Sequence, residues 1–197
     1  AQIGVLIRNA EAIEKLAQLD TLAVDKTGTL TEGKPKLAQV LPVGGFDEKE
    51  LLRLTASLEQ GSEHPLAHAV VVAASEQKLP LEPAKDFQST TAGGVAGTVS
   101  GRRVLVGKPD FLRENGVTDI AALETLAAPR QAEGATAIFV AVDGRAAGVL
   151  TVADPIKATT SQALAELREL GVSVLMLTGD NPRTAESVAR KLGIADF

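Results

Sequence analysis

The stretch from Leu22 to Thr31 limits the possible folds of this chain more than any other. Its apolar beginning predicts a short buried strand, which ends at Asp25 in a turn rich in glycine and threonine. Since ligands bind at the carboxyl ends of strands in open α/β sheets, we expect Asp25 at the mouth of a crevice. A carboxylate in that place can attack phosphorus and form an aspartyl-phosphate, although most Asp residues in such turns are simply solvated. Thr27 and Gly28 would offer a hydroxyl and close backbone approach to phosphate oxygens.

A second phosphate-binding turn is predicted near the end of the chain. Residues 172–177 form an apolar run typical of a buried strand, and Thr178, Gly179 and Asp180 follow it directly. Pro182 suits the first position of a helix, so this turn leads into a helix N-terminus. The threonine hydroxyl, the backbone N–H groups and the helix dipole would favour a phosphate here, although each feature alone is also typical of an ordinary turn.

The two turns together resemble those of a known family. Residues 25–31 resemble the phosphorylation motif Asp-Lys-Thr-Gly-Thr-Leu-Thr of P-type ATPases, and residues 178–181 resemble the Thr-Gly-Asp-Asn signature of the same family. The resemblance implies that Asp25 is phosphorylated, and that Asp25 and Thr27 hold a Mg²⁺ ion that bridges the phosphate oxygens. It also implies the following catalytic residues: Asp25, Lys26, Thr27, Thr178, Gly179 and Asp180.

Thr27 argues against a rapid phosphatase. Phosphatases of the related superfamily usually place a second Asp two residues after the nucleophile, as the acid and base that hydrolyse the phosphoenzyme. Thr27 occupies that position and cannot do this work at neutral pH. The phosphoenzyme should therefore live longer, which suits a pump that changes shape between phosphorylation and dephosphorylation.

Composition argues against several other classes of protein. The net charge of -5 and the absence of Trp and Tyr argue against a nucleic-acid partner. Without cysteine, the chain has neither a disulfide framework nor a thiolate metal site. No apolar run approaches the roughly 18 residues that span a bilayer, and no signal peptide is visible, so we expect a cytoplasmic piece without direct membrane contact.

The order of elements predicts an α/β domain that is interrupted by an α+β domain. Strands and helices alternate in residues 1–33 and 152–197, whereas residues 34–151 contain hairpin signals such as Asp143-Gly144. We therefore expect an antiparallel sheet in the insertion, and a hinge where the two linkers lie side by side. The family resemblance identifies the outer parts as a haloacid-dehalogenase-like (Rossmannoid) phosphorylation domain and the insertion as a nucleotide-binding domain.

The segment from Ser62 to Leu66 indicates a nucleotide site and a subgroup of the family. It consists of Ser-Glu-His-Pro-Leu, with Ser62 as the expected N-cap of the following helix. It resembles a motif of heavy-metal-transporting P-type ATPases, in which the histidine contacts adenine. A rival hypothesis is a metal site formed by His64 and His68. The zinc-protease pattern, however, needs Glu where Pro65 stands, and the chain has neither Cys nor a third His.

Further residues are expected around the nucleotide, most of them only through the resemblance. Glycines between strands would let the backbone approach a flat ligand closely. Lys108 stands where the family usually has Asn, and Ala92 where it has its first Gly, so we expect ordinary or somewhat weakened affinity for ATP. Asp154 resembles the Asp of an Asp-Pro pair near the hinge of the family. The expected nucleotide-binding residues are Glu59, Ser62, Glu63, His64, Gly93, Gly94, Gly107, Lys108 and Asp154.

The resemblance ends before a Gly-Asp-Gly-x-Asn-Asp segment that the family carries, so we expect a truncated phosphorylation domain. In the family, a strand of that segment pairs with the strand that ends at Asp25. Its loss would expose one strand edge and one apolar flank, which proteins avoid. We therefore expect residues 34–151 to fold independently, and the α/β part to be partly disordered, domain-swapped or completed by another chain.

These patterns predict the ATP-binding and aspartyl-phosphate-forming region of a P-type ATPase that exports heavy-metal ions, with Cu(I) as the favoured cargo. The expected ligands and partners are ATP or ADP, Mg²⁺, and the actuator and transmembrane domains of the pump. The expected location is the cytoplasmic side of an integral membrane protein. Two alternatives stay open: a fragment that binds nucleotide without catalysis, and a haloacid-dehalogenase-type phosphatase.

Overall fold

A computed structural model describes residues 9–91, 93–179 and 182–197, with side chains at all of these except 10, 12, 13, 182 and 183. The alternation of strands and helices in residues 1–33 places a strand near residues 4–7, which lies outside the described residues. Ala92 and the predicted catalytic residue Asp180 also lie outside them. The helices are α1 (Ala10–Leu16), α2 (Glu48–Glu59), α3 (Pro65–Glu76), α4 (Pro109–Glu114), α5 (Ile120–Ala132), α6 (Thr160–Glu169) and α7 (Pro182–Leu192). The strands are β1 (Thr21–Asp25), β2 (Lys36–Pro42), β3 (Lys85–Thr90), β4 (Gly94–Val99), β5 (Arg102–Gly107), β6 (Thr136–Val142), β7 (Arg145–Ala153) and β8 (Ser173–Leu177).

Strands β2 to β7 form one antiparallel sheet in the order β2-β7-β6-β5-β4-β3. The antiparallel sheet predicted from the sequence is therefore confirmed. Asp143 and Gly144 make the β6–β7 turn with φ angles of 51° and 76°. Both values lie in the left-handed region that the common two-residue hairpin turn requires, which explains why this dipeptide was a reliable signal.

The six-stranded sheet is covered by helices on both faces. Alternate residues of β6 point to opposite faces, so that Ile138 and Val140 join one buried cluster and Phe139 and Ala141 join the other. The first cluster is completed by leucines of α2 and apolar residues of α3. The second is completed by α4 and α5. The central strands β6 and β7 are therefore buried on both sides, which accounts for the apolar run of β6, whereas the edge strand β3 is largely exposed.

The helices α2 and α3 begin with different caps. Asp47 caps α2, because its carboxyl oxygen accepts a hydrogen bond from the backbone N of Glu50 at 2.8 Å. The expectation for α3 was wrong. His64, not Ser62, is its N-cap, and His64 Nδ1 accepts from the backbone N of Leu66 at 3.2 Å. Ser62 instead accepts a hydrogen bond from the backbone N of His64 through its hydroxyl oxygen at 3.3 Å.

Strands β1 and β8 form a separate, parallel pair. One side of this pair packs on α6 and α7 in a third buried cluster that includes Leu30, Met176 and Leu164. Alternate residues of β1 are exposed, and Leu177 at the end of β8 is 52% exposed. The parallel pair is thus covered much less completely than the central strands of the six-stranded sheet.

The two linkers between the sheets lie side by side, as the sequence predicts. The backbone N of Glu32 donates to the carbonyl oxygen of Pro155 at 2.8 Å, and the backbone N of Lys157 donates to that of Leu30 at 3.0 Å. Thr31 forms an isolated antiparallel bridge with Ile156. The division of the chain into 1–33, 34–151 and 152–197 stays a prediction. Within the described residues, no helix is long and apolar enough to cross a membrane.

Hydrogen exchange should distinguish the two sheets. We expect the backbone amides of β6 and β7 to exchange about tenfold more slowly than those of β1 and β8, because the parallel pair has only two strands and is buried mainly on one side. Exchange in this 197-residue chain, followed by mass spectrometry of peptides, would measure both sets in one sample. Equal and strong protection of the two sheets would contradict the expectation.

Candidate phosphoryl-transfer and nucleotide site

Asp25 and Thr178 meet at the same edge of the parallel sheet. In the pairing of β1 with β8, Asp25 lies opposite Leu177, so Thr178 is the first residue beyond the neighbouring strand. Asp25 is exposed, Thr178 is partly buried, and the exposed Gly179 follows. An accessible carboxylate beside a threonine is the arrangement that the sequence motifs predict for a phosphoryl site. The predicted catalytic Asp180 lies outside the described residues.

The loop after Asp25 has a fixed conformation. The backbone N of Thr31 donates to the carbonyl oxygen of Lys26 at 3.1 Å and closes a turn over residues 26–31. Gly28, with φ of 76°, occupies the left-handed region that favours glycine. Lys26 is only 6% exposed, whereas Thr27 is exposed beside Asp25. The loop therefore presents Asp25, Thr27 and the backbone of Gly28 to solvent, and buries the Lys26 side chain.

A separate cavity of about 1000 Å³ lies on the six-stranded sheet. It contains most of the residues that the sequence predicts for nucleotide binding, brought together from α2, the turn before α3, and strands β4 and β5. Those that line it are Glu59, Ser62, His64, Gly93, Gly94, Gly107 and Lys108. Glu63 and Asp154 are not among the lining residues. The size suits a ligand as large as a nucleotide, since such pockets usually measure about 300–1,000 Å³.

Helix α5 forms a wall of this cavity that sequence reasoning missed. Glu124, Thr125, Ala128 and Gln131 line the cavity from that helix, and Phe139 of β6 lines it from the sheet. Their spacing along α5 places them on one face, but the same pattern is typical of any half-exposed helix. Only the packing of α5 against the sheet shows that this face borders the ligand cavity.

Gly94 and Gly107 pair with each other across strands β4 and β5. A Cβ atom at Gly94 would lie 2.3 Å from the carbonyl oxygen of Val106, and one at Gly107 would lie 2.6 Å from that of Gly93. Both would also collide with the Phe111 ring. These glycines are needed because the two backbones and the ring approach closely, which is a different reason from the ligand contact that the sequence suggested.

Glu59 is a buried carboxyl group in the cavity wall. Glu59 is only 8% exposed. Burial raises the pKa of its carboxyl group from 4.5 to about 7, and a hydrogen bond with Ser62 lowers that pKa by a smaller amount. A carboxyl group that is partly protonated at neutral pH can both donate and accept hydrogen bonds. Such a group suits the edge of a base, which presents donors and acceptors side by side.

His64 reaches the same cavity from an exposed position at the start of α3. Because its Nδ1 accepts the capping hydrogen bond from Leu66, that nitrogen is engaged and the orientation of the ring is restricted. The ring face and Nε2 are left for a ligand. Among the described residues, no group of three or more His, Cys, Asp or Glu could hold a metal ion, so the rival metal site at His64 and His68 gains no support.

Asp154 lies at the linkers. One carboxyl oxygen accepts from the Thr31 hydroxyl at 2.6 Å, and the other accepts from the backbone N of Lys34 at 3.1 Å. Asp154 thus joins the second linker to the first, which agrees with the hinge role that the sequence suggested. Its role in nucleotide binding stays a prediction.

Comparison with family models matches residues 19–197 to haloacid dehalogenase-like hydrolases. The matched range includes the turns that follow β1 and β8 and the entire six-stranded sheet. The chain belongs to the haloacid dehalogenase-like hydrolase family. This family membership and the α/β fold confirm the fold class predicted from the sequence.

Within the haloacid dehalogenase-like family, the relatives are P-type ATPases, as the sequence motifs indicated. The chain is 48% identical over 194 residues to a silver exporting P-type ATPase of Salmonella typhimurium, covering 98% of this chain and 23% of that protein. It is 46% identical over 194 residues to copper-transporting ATPase 2 of Rhizobium meliloti, again covering 98% of this chain and 23% of that protein. The chain therefore spans about a quarter of the length of these relatives.

A solved structure supports the same relationship. The crystal structure of a zinc-transporting PIB-type ATPase in the E2.Pi state superimposes with a TM-score of 0.86 and 35% sequence identity. The superposition covers 100% of this chain and 32% of that one. The haloacid dehalogenase-like fold and the inserted sheet thus occur together in a P-type ATPase.

The donor set of the phosphoryl site fits the Mg²⁺ ion that this family implies. Mg²⁺ prefers oxygen ligands and is usually held by one or two carboxylates together with phosphate oxygens and waters. The exposed Asp25 carboxylate and the backbone of the Thr27 turn offer hard oxygen ligands of this kind. Within the described residues, Asp25 and Thr27 are thus compatible with Mg²⁺ that arrives with a phosphate.

The raised pKa of Glu59 predicts a specific pH dependence of stability. Since the folded chain binds more protons here than the unfolded chain between about pH 4.5 and 7, the free energy of unfolding should fall as pH rises through this window. The loss should total about 3 kcal/mol and be complete above about pH 7. Glu59→Gln should remove this contribution, as measured by urea unfolding at several pH values.

A matched control for Glu59→Gln is Glu76→Gln, because Glu76 is an exposed carboxylate at the end of α3. Its pH profile should parallel that of the unsubstituted chain. If the profile of Glu59→Gln were also parallel to the unsubstituted one, Glu59 would titrate as an ordinary carboxylate, and the argument from burial would be wrong.

Proposed function

We propose that this chain is the ATP-binding and aspartyl-phosphate-forming region of a P-type ATPase that exports heavy-metal ions. The observation that carries the proposal is the pairing of β1 with β8, which brings the exposed Asp25 and Thr178 to the same edge of the parallel pair. The cavity around His64 and Glu59, on the other side of the paired linkers, supports a separate nucleotide site. The names of the relatives support export of a heavy metal.

In the proposed reaction, Asp25 is the nucleophile. One of its carboxyl oxygens attacks the γ-phosphorus of ATP, and the bond from that phosphorus to the bridging oxygen of ADP breaks, so that ADP leaves with the electron pair. Mg²⁺ would neutralise charge on the phosphate oxygens while Asp25 and Thr27 supply protein oxygens for it. The Thr178 hydroxyl and the Gly28 backbone hold the transferred group. Water later attacks the aspartyl-phosphate and regenerates Asp25.

The cavity on the six-stranded sheet holds the purine in this proposal. The His64 ring stacks on the base, and Glu59 makes hydrogen bonds to its edge. Lys108, at the mouth formed by β5 and α4, offers an ammonium group to the phosphates. Rotation at the paired linkers then brings the γ-phosphate to Asp25, since the base and the nucleophile are held by different sheets.

In the complete pump, this region would lie on the cytoplasmic side of the membrane and work with an actuator and transmembrane domains. Phosphorylation and dephosphorylation of Asp25 would drive the transport of the metal ion. Cu(I) is the favoured cargo because the relatives include copper transporters, with silver and zinc as rivals from the silver exporter and the zinc-transporting neighbour. The residues that would select the metal are expected in the transmembrane part.

Phosphorylation of Asp25 can be tested directly. In the longer protein that carries this chain, radiolabel from γ-labelled ATP should stay bound to the acid-precipitated protein, and Asp25→Asn should reduce it to background, because an amide is a far poorer nucleophile than a carboxylate. Asp20→Asn is the matched control, since Asp20 is an exposed carboxylate just before β1. Labelling that survives Asp25→Asn would contradict the proposal, and absence of labelling with intact ATP binding would favour a binding-only role.

The place of the base can be tested by calorimetry. His64→Ala should weaken ATP binding about tenfold, because stacking of a base on an aromatic ring is worth about 1–3 kcal/mol. His68→Ala is the control, since His68 is also exposed and lies one helical turn away without lining the cavity. An unchanged affinity in His64→Ala would refute this position of the purine.

A further inference from the structure

The second linker and the start of α6 hold the loop of residues 26–31, which we call the phosphoryl loop, through three side chains. Asp154 accepts a hydrogen bond from the Thr31 hydroxyl at 2.6 Å, and the Lys157 ammonium donates to the carbonyl oxygen of Gly28 at 2.5 Å. The Thr160 hydroxyl donates to the carbonyl oxygen of Leu30 at 2.8 Å. We call these three contacts the loop clip. Its residues are spaced three apart, and each binds a different residue of the loop 26–31.

Thr31 is the point where the clip meets the internal hydrogen bonds of the loop. Thr31 is fully buried. Its hydroxyl oxygen accepts a hydrogen bond from the backbone N of Gly28 at 3.3 Å, and the same oxygen lies 3.0 Å from the carbonyl oxygen of Lys26. A hydroxyl group has one hydrogen, and the shorter contact to the charged Asp154 is the stronger one. Asp154 therefore fixes the direction in which the Thr31 hydroxyl donates its hydrogen. The lone pairs of the same oxygen are then oriented to accept the hydrogen bond from the backbone N of Gly28.

Lys157 binds Gly28, the residue of the loop whose backbone lies in the left-handed region. Gly28 has φ of 76°, and a Cβ atom placed on it would meet no described atom within 4 Å beyond its chain neighbours, so this side of the residue is open, although Gly33 lies close to its backbone on another side. The Lys157 ammonium is the side-chain donor to its carbonyl oxygen. The backbone N of Lys157 also donates to Leu30. A charge-assisted hydrogen bond to a carbonyl is stronger than a neutral one, so Lys157 restrains the Gly28 peptide from the side that faces the second linker.

The clip also lies at the pivot between the two sheets. Asp154 binds Lys34 of the first linker as well as Thr31, and Lys157 follows only three residues later. A rotation of the six-stranded sheet must turn about these linkers, because the chain passes between the sheets through them. Through Asp154 and Lys34, the contacts that orient the loop are therefore continuous with the linkers about which such a rotation would turn.

We propose that Lys157, together with Asp154, is a positioning residue that ties the orientation of the phosphoryl loop, and so of Asp25, to the angle of the hinge. This inference rests on the proposed function, in which Asp25 receives the phosphoryl group. Neither residue needs to touch ATP. Lys157 acts through the Gly28 carbonyl oxygen and Asp154 acts through the Thr31 hydroxyl, so their loss should slow phosphoryl transfer without weakening the binding of ATP.

The test compares Lys157→Met, Lys157→Arg and the control Lys49→Met in the longer protein that carries this chain. Lys49 is an exposed lysine on α2, so its substitution removes the same charge elsewhere. Lys157→Met should slow phosphoenzyme formation at saturating ATP about tenfold or more, with KM for ATP within about twofold of wild type. Lys157→Arg should restore most of the rate, because it keeps a cationic donor. Lys49→Met should match the wild type.

A second measurement tests the contacts of the loop clip independently of the proposed phosphorylation. Hydrogen exchange of the Gly28 and Thr31 amides should be faster in Lys157→Met and in Asp154→Asn, while the amides of β6 and β7 keep their wild-type protection. An unchanged rate, a rise in KM in proportion to the loss of rate, or no rescue by Lys157→Arg would overturn the proposal. If wild type carried no label on Asp25, the proposed function would fail, and unchanged exchange would separately overturn the clip.

Discussion

The parallel pairing of β1 with β8 determines where the reactive groups of this protein lie. The register sets Asp25 opposite Leu177, so both strands end at one edge and their turns meet there. Helices α6 and α7 support that edge from one side through a small buried cluster. Two strands with limited cover are a weak platform, and hydrogen bonds from the second linker supplement it by holding the loop between Lys26 and Thr31.

In the proposed reaction, the six-stranded sheet has a different role, which is to hold the nucleotide at a fixed place. It has a buried core on each face, and residues of α5, the start of α3, β4 and β5 line the cavity. In the proposed reaction, binding and chemistry are assigned to separate sheets that share two paired linkers. Each half can then be rigid, and only the linkers need to move during closure.

The sequence predicts those parts of the site that are encoded by short contiguous motifs. The Asp25 turn, the antiparallel sheet and most of the cavity residues follow from local strings and from family resemblance. Contacts between distant segments could not be predicted in this way. The α5 wall and the Asp154–Thr31 hydrogen bond depend on tertiary packing. The N-cap of α3 was misassigned because the His64 ring can accept a capping hydrogen bond in place of the more usual Ser62.

The central claim is that a single carboxylate, Asp25, receives the phosphoryl group of ATP. The most direct measurement is chemical mapping of the phosphorylated residue: borohydride reduction converts an aspartyl-phosphate into homoserine, which peptide sequencing by mass spectrometry then locates. The account predicts homoserine at position 25, and only after incubation with ATP and Mg²⁺. Phosphate found on any other residue, with an unmodified Asp25, would contradict it.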